Sequence, residues 1–281
     1  MSTTHPTPSG SPAAGARFPA DLLTATLRRD AATPLITFYD DATGERVELS
    51  AATLANWVAK TANLLQDEFD VGPGSEVAVA LPVHWQTAAV LLAVWSCGAA
   101  VRDVPIEDEE SLTGVDVVLA SQDRLAAHEE AAEQSGTAEL LGLSLHPLGM
   151  GMAGYVGAAR DFAIEVRAHG DVFAPYAPPE PTAPGLLVGG VHLEIGRLVP
   201  TAAELADRLG LVTGDRVLVD ADTAVEAGPI AWLLAPLAAG ASLVLCRHPA
   251  RGGLARRAAA ERVTATLGLR VDGVRELGRP A

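Results

Sequence analysis

"VGPGSEVAVA", residues 71–80, and "LVTGDRVLVD", residues 211–220, follow one pattern. Each sets a glycine, Gly74 or Gly214, two residues ahead of a valine-rich strand. Before each lies an amphipathic stretch with helical spacing, "AATLANWVAKTANLL" (51–65) and "TAAELADRLG" (201–210). After each comes an apolar helix ending in Gly-Ala and then another apolar strand: "TAAVLLAVWSCGAAVRDV" (87–104) and "IAWLLAPLAAGASLVL" (230–245). The offset is 140 residues at the turn glycine and 142 at the Gly-Ala. So long an offset, seen once, describes two similar units and not a short-period solenoid. Strands alternating with helices predict an α/β fold: two similar subdomains with largely parallel sheets flanked by helices.

Outward from the repeat, "LITFYDDATGERVEL" (35–49) breaks the alternation of helix and strand. Two short strands flank a turn at Asp40–Gly44, an N-terminal β-hairpin. "VDVVLAS" (115–121) and "AELLGLSL" (138–145) read as further strands of the first unit, and "FAIEVRAHGD" (162–171) as a strand and turn. "GGLARRAAAERVTATLGL" (252–269) reads as helix then strand. The proline-rich "APYAPPEPTAPG" (174–185) reads as an exposed connector. The divisions that follow are a disordered tail over 1–17, a first subdomain over 18–150, a strand and connector over 151–184, and a second subdomain over 185–281.

Composition limits the function. The chain has 281 residues, 49% of them hydrophobic and only 4% aromatic, so aliphatic and alanine packing must build the core. A net charge of −15 argues against a nucleic-acid partner, which needs a basic patch. Cys97 and Cys246 lie in apolar runs and read as buried free thiols of a cytoplasmic protein. The opening "MSTTHPTPSGSPAAGA" has no basic or apolar region of a signal peptide. The uncharged run at 229–246 reaches the lower limit for a membrane span, but Pro236 and Gly240 punctuate it, and helix followed by strand accounts for it. No membrane span is expected.

The first unit resembles the start of the adenylate-forming enzymes: acyl-CoA synthetases, adenylation domains of peptide synthetases, and luciferases. The residues that carry the likeness are "DVGPGSEVAVALPVHW" and "LLAVWSCGAAVRDVP". In the second unit, "AWLLAPLAAGASLVL" and "RRAAAERVTATLGL" resemble the part just after that family's phosphate loop. The likeness runs from 35 to about 270 and implies a truncated N-terminal portion. Counted back from "LGLVTGDRVLV", the family's "TSGTTGLPKG" falls on Pro181–Gly190. Gly185, Gly189 and Gly190 mark this degenerate phosphate-loop position. Gly189 stands where the lysine belongs, Thr182 is the one hydroxyl left, and Pro181 and Pro184 remove backbone donors. The "PTAPGLLVGGVHLEIGRL" stretch (181–198) is expected to run strand, glycine turn, helix. Ser135-Gly136-Thr137 precedes a strand and does not qualify as the loop.

Lys60 is the chain's only lysine, and it falls in the helix capped by Ser50 or Thr53. The family's mobile C-terminal domain, its adenine-binding segment and its ribose-binding aspartate have no counterpart in the sequence. The resemblance therefore implies a non-catalytic protein, acting by binding or assembly. The alternatives are a diverged ligase that needs a partner chain, and an acyl- or aryl-acid binding protein. No catalytic residue, cofactor or metal site is assigned. A second copy or another protein is expected to cover the truncated face. The remaining clusters read as structural. Glu107–Glu110 reads as a solvated acidic loop, with divalent-cation binding the alternative; Asp220, Asp222 and Glu226, after a strand, read as a solvated loop, with a ligand role the alternative; His84 is a half-buried residue at a helix start; and "GMGMAG" (149–154) is a turn.

Overall fold

The structure is a computed structural model that describes residues 12–103, 112, 114–129 and 138–278. Two sheets make the frame. The first runs in the order β13-β12-β10-β11-β1-β2. Its strands are β1 (Pro34–Asp40), β2 (Glu45–Ser50), β10 (Arg216–Asp220), β11 (Ser242–Arg247), β12 (Ala265–Leu267) and β13 (Arg275–Glu276). The second runs β7-β6-β5-β3-β4-β8-β9. Its strands are β3 (Glu76–Ala80), β4 (Ala100–Asp103), β5 (Val117–Ser121), β6 (Glu139–Leu143), β7 (Arg160–Asp161), β8 (Pro184–Val188) and β9 (Val191–Glu194). All pairings are parallel except β1 with β2 and β8 with β9.

The repeat is present in three dimensions. β3 runs parallel between β5 and β4, and β10 runs parallel between β12 and β11. The turn glycines take the same left-handed conformation, φ 98° at Gly74 and 87° at Gly214, which a side chain would oppose. The helix after each central strand closes on an equivalent glycine, Gly98 (φ 79°) or Gly240 (φ 76°).

Each unit opens with a hairpin, and the hairpins are exchanged. β1–β2 precedes the first unit but joins the second unit's sheet, with β1 parallel to β11 from Ile36↔Leu243 to Asp40↔Arg247. β8–β9 precedes the second unit but joins the first unit's sheet beside β4. The divisions at 150 and 185 drawn from the sequence therefore cut across both sheets.

The helices are α1 (Pro19–Arg29), α2 (Ala51–Phe69), α3 (Trp85–Ser96), α4 (Phe162–Glu165), α5 (Ile195–Leu209), α6 (Ala221–Pro229), α7 (Ala235–Ala239) and α8 (Leu254–Ala260). Ser50 caps α2, accepting from the Thr53 N–H at 3.1 Å. Every residue of α3 is buried, because it lies in the one large core that both sheets share. α6 breaks at Gly228, whose φ of 77° is non-helical, and the apolar run continues as a π-turn over Ile230–Leu234 into α7 and β11. No helix among the described residues is long and apolar enough to cross a membrane. Cys97 and Cys246 are buried free thiols.

Two local expectations fail. Residues 162–168 form α4 and a 3-10 turn, not a strand. Asp161 caps α4 by accepting from the Ala163 N–H at 2.9 Å, which overrides the apolar alternation of "FAIEV". Residues 191–194 form β9 in place of the helix start.

Candidate functional site

The phosphate-loop position is a tight β-hairpin. β8 and β9 are joined by Gly189 and Gly190 alone, with φ 52° and 79°, and Val188 pairs with Val191. Two left-handed residues in succession are the signature of a type I′ turn. So short a loop has no arc of backbone N–H groups with which to surround a phosphate. Gly189 thus serves the turn's conformation.

The start of α5, the other natural anion site, is already occupied. The Ile195 N–H donates to the Ala183 carbonyl at 2.9 Å, and the Gly196 N–H to the Pro181 carbonyl at 3.0 Å. These donors would otherwise be free at a helix N-terminus. Gly185 is needed for packing. A Cβ there would sit 2.5 Å from the Ile195 Cα, and the Gly185 carbonyl accepts from the buried Trp95 Nε1 at 2.8 Å. Gly185→Ala is therefore expected to destabilise the fold by about 2 kcal/mol or more, because backbone must move to admit the methyl. Urea unfolding measures this; an unchanged midpoint would refute the close approach.

Lys60 is committed elsewhere. Its Nζ donates to the His169 carbonyl at 2.6 Å and pairs with Asp171 Oδ1 at 3.0 Å. Asn63, on the same helix, holds the Gly170 and Val172 carbonyls at 2.9 and 3.0 Å. Together they fasten the 169–172 segment to α2.

Beneath the hairpin lies a cavity of about 150 Å³. Its walls are chiefly apolar, among them Val79, Leu81, Val188, Val225 and Trp232, with Asp103 at the carboxyl end of β4. Burial pushes the Asp103 carboxyl up to about 6. The sequence did not single out Asp103, because its position after "AVR" carries no motif.

The remaining sequence candidates separate. Asp220 Oδ2 accepts from the Thr223 N–H and hydroxyl, both at 3.1 Å, so it caps α6. Asp222 is exposed on the first turn. Glu226 lies in a different, polar groove with Thr223, Arg251 and Arg270. His84 is 1% exposed, not half-buried, and caps α3. The Gly149 N–H closes a turn on the His146 carbonyl, and Gly149 and Gly151 are crowded by Trp57 and Asp161. Glu107–Glu110 and Ser135-Gly136-Thr137 lie outside the described residues.

Among solved structures, the fold matches the N-terminal domain of FACL13 from Mycobacterium tuberculosis with a TM-score of 0.72 at 14% identity, over 90% of this chain and 63% of that one. An acyl-CoA synthetase of Brucella canis matches with a TM-score of 0.72 at 18% identity, over 89% of this chain and 47% of that one. The anthranilate CoA ligase AuaEII, solved in complex with anthranoyl-AMP, matches with a TM-score of 0.71 at 17% identity, over 91% of this chain and 51% of that one. The chain thus spans between 47% and 63% of the length of these ligases, and its fold is that of the N-terminal part of an adenylate-forming enzyme. A TIGR03089 family protein of Mycobacterium tuberculosis is 46% identical over 250 residues, which cover 88% of this chain and 96% of that protein. No protein-family model matches the chain.

Proposed function

The chain belongs to the TIGR03089 family, and we propose that it keeps the adenylate-forming fold without the chemistry: a non-catalytic cytoplasmic protein that acts by binding or assembly. The observation that carries this reading is the state of the phosphate-loop position. Activating a carboxylate with ATP needs hydroxyls, backbone N–H groups and a cation already aimed at the phosphates. Here the loop is a two-residue turn, the first N–H groups of α5 are bonded within the protein, and Lys60 is tied to His169 and Asp171. An acid bound in the cavity below would lie against the Asp103 carboxyl, which burial raises to about 6. A second copy or another chain covering the hairpin side would use the exposed Val191 and the half-exposed Val188 and Val225.

The test is ATP–pyrophosphate exchange across a panel of fatty and aromatic acids. No exchange above background is expected, since each missing donor costs about 10²–10³ in rate. A Lys60→Ala variant should behave like the parent. Exchange in the parent that disappears in Lys60→Ala would overturn the reading and the structural role given to that lysine.

A further inference from the structure

The cavity of about 150 Å³ beneath the hairpin lies where the two units meet. On one side stand the carboxyl ends of β3, β4 and β8, which bring Val79, Asp103 and Val188. Ligands of open α/β sheets generally sit at that end of the strands. On the other side stand α6 and the π-turn over Ile230–Leu234, which bring Val225 and Trp232. The helix leaves its regular course at Gly228, and π-turns are frequent at functional sites. Val79, Leu81 and Trp232 are buried and form the inner wall; Val188 and Val225 are half-exposed and stand toward solvent.

Asp103 is the one ionisable group among the described residues that line this cavity. Successive residues of a strand face opposite ways, so its neighbour Arg102 belongs to the other face of the sheet, where it pairs with Glu76. The Thr87 hydroxyl is used within the protein, donating to the Pro82 carbonyl at 2.6 Å. Burial is all that acts on the Asp103 carboxyl. Among the described residues no hydrogen bond or neighbouring charge offsets it, and the carboxyl is pushed up to about 6. Carboxylates that hold the fold together are placed differently. Asp215 accepts from the Val212 N–H, Thr264 and Arg275, and Glu261 accepts from Tyr39, Arg46 and Arg216. A carboxylate left bare against an apolar wall is costly, and a ligand that supplies the missing donor removes that cost.

The chemistry that fits is a cationic N–H donor on a compact apolar body. An ammonium group supplies both the charge and the hydrogen bonds that favour the ionised carboxyl. The apolar wall takes the hydrocarbon, as small-molecule sites generally do. An apolar cavity of about this volume accepts a molecule the size of benzene, which sets the size of that body. The chain's net charge of −15 draws cations toward it.

We propose that this cavity binds a small primary monoamine, with the ammonium group on the Asp103 carboxylate and the hydrocarbon part against Leu81 and Trp232. The proposal rests on the binding role given above and names its ligand class. Amine binding and pyrophosphate exchange are separate measurements, so either can fail alone.

Calorimetric titration of the whole chain tests it with cyclopentylamine. Cyclopentanol has the same size without the charge, and methylammonium has the charge without the apolar body. Cyclopentylamine should saturate the protein, and each control should bind at least about tenfold more weakly. Asp103→Asn should remove the preference for the amine over the alcohol; it takes a charge out of an apolar setting, so the variant should fold. In the parent protein at pH 6, about half of Asp103 carries a proton. Saturation with the amine should then move the NMR resonance of its carboxyl carbon to the ionised position, a readout that needs no variant. Equal binding of amine and alcohol, amine binding unchanged in Asp103→Asn, an unmoved carboxyl resonance, or no saturation at millimolar concentration would overturn the proposal. Methylammonium binding as tightly as cyclopentylamine would also overturn it, leaving only the general attraction of an acidic protein for cations.

Discussion

A Glu261→Gln variant is expected to lose about 3 kcal/mol of stability at neutral pH, and this deficit should shrink as the solution is acidified. Glu261, just after α8, ties the first hairpin to the second unit. Its Oε1 accepts from the Tyr39 hydroxyl at 2.6 Å and from Arg46 Nη2 at 3.0 Å, and its Oε2 from Arg216 Nη2 at 2.7 Å. Arg216 passes the connection on to the Thr37 hydroxyl at 2.8 Å. The carboxylate is 8% exposed and Arg216 is 14% exposed, so removing the charge strands a cation away from water. Burial alone would raise the pKa of Glu261. The bonds from Tyr39, Arg216 and Arg46 outweigh it and hold the carboxyl at about 2. A pKa depressed on folding stabilises above the unfolded value of 4.5, and that contribution is lost as pH falls from there toward about 2. At roughly 1.4 kcal/mol per pH unit, the drop amounts to about 3 kcal/mol. Urea unfolding of both proteins between neutral pH and about pH 3 measures the gap. A gap that stays constant with pH would mean that Glu261 titrates alike in the folded and unfolded chains.

How far the sequence reveals this molecule depends on how local each signal is. Gly74 and Gly214, each two residues before a strand, announced the repeat because a left-handed turn writes itself into a few residues. Asp40–Gly44 announced the first hairpin in the same way. The second hairpin stayed hidden: β9 is four residues long and mostly exposed, so it lacks an apolar alternation, and its two glycines suit a phosphate turn as well as a type I′ turn. Residues 162–168 alternate like a strand, but Asp161 caps them as a helix, and Lys60 holds the segment that follows. Gly185 was singled out as part of a lost loop, yet its requirement comes from Ile195 and Trp95. His84 and Glu45 belong to different elements, and their 3.5 Å approach exists only once the hairpin crosses to the other sheet. Periodicity says that a hairpin forms; it does not say which sheet edge receives it.

Cut after Phe173 and produced as two separate chains, the protein is expected to yield no stably folded half. The strand that would close each sheet lies in the other half. β1 carries Leu35, Ile36 and Phe38, at most 2% exposed, and they reach that burial beside β11. Alone, the first half would keep β1–β2 as a two-stranded hairpin, which is marginal in water. It would also bare the edge of β4 and part of α3, whose Trp95 donates to Gly185 across the cut. The second half would bare the edge of β11 and leave Arg216, Arg257 and Glu261 without Thr37, Asp41 and Tyr39. Exposed edges of buried, apolar strands invite aggregation. Co-expression of the halves should recover a soluble complex that melts cooperatively, because the breaks it must heal are pairings between intact strands. If either half alone gave a monomer with a sharp thermal transition, the units proposed over 18–150 and 185–281 would be autonomous. The exchange of hairpins would then join two domains that had already folded. If neither does, the crossed hairpins are the reason the repeat exists as one body, and a cavity that draws its walls from both units can form only in the whole chain.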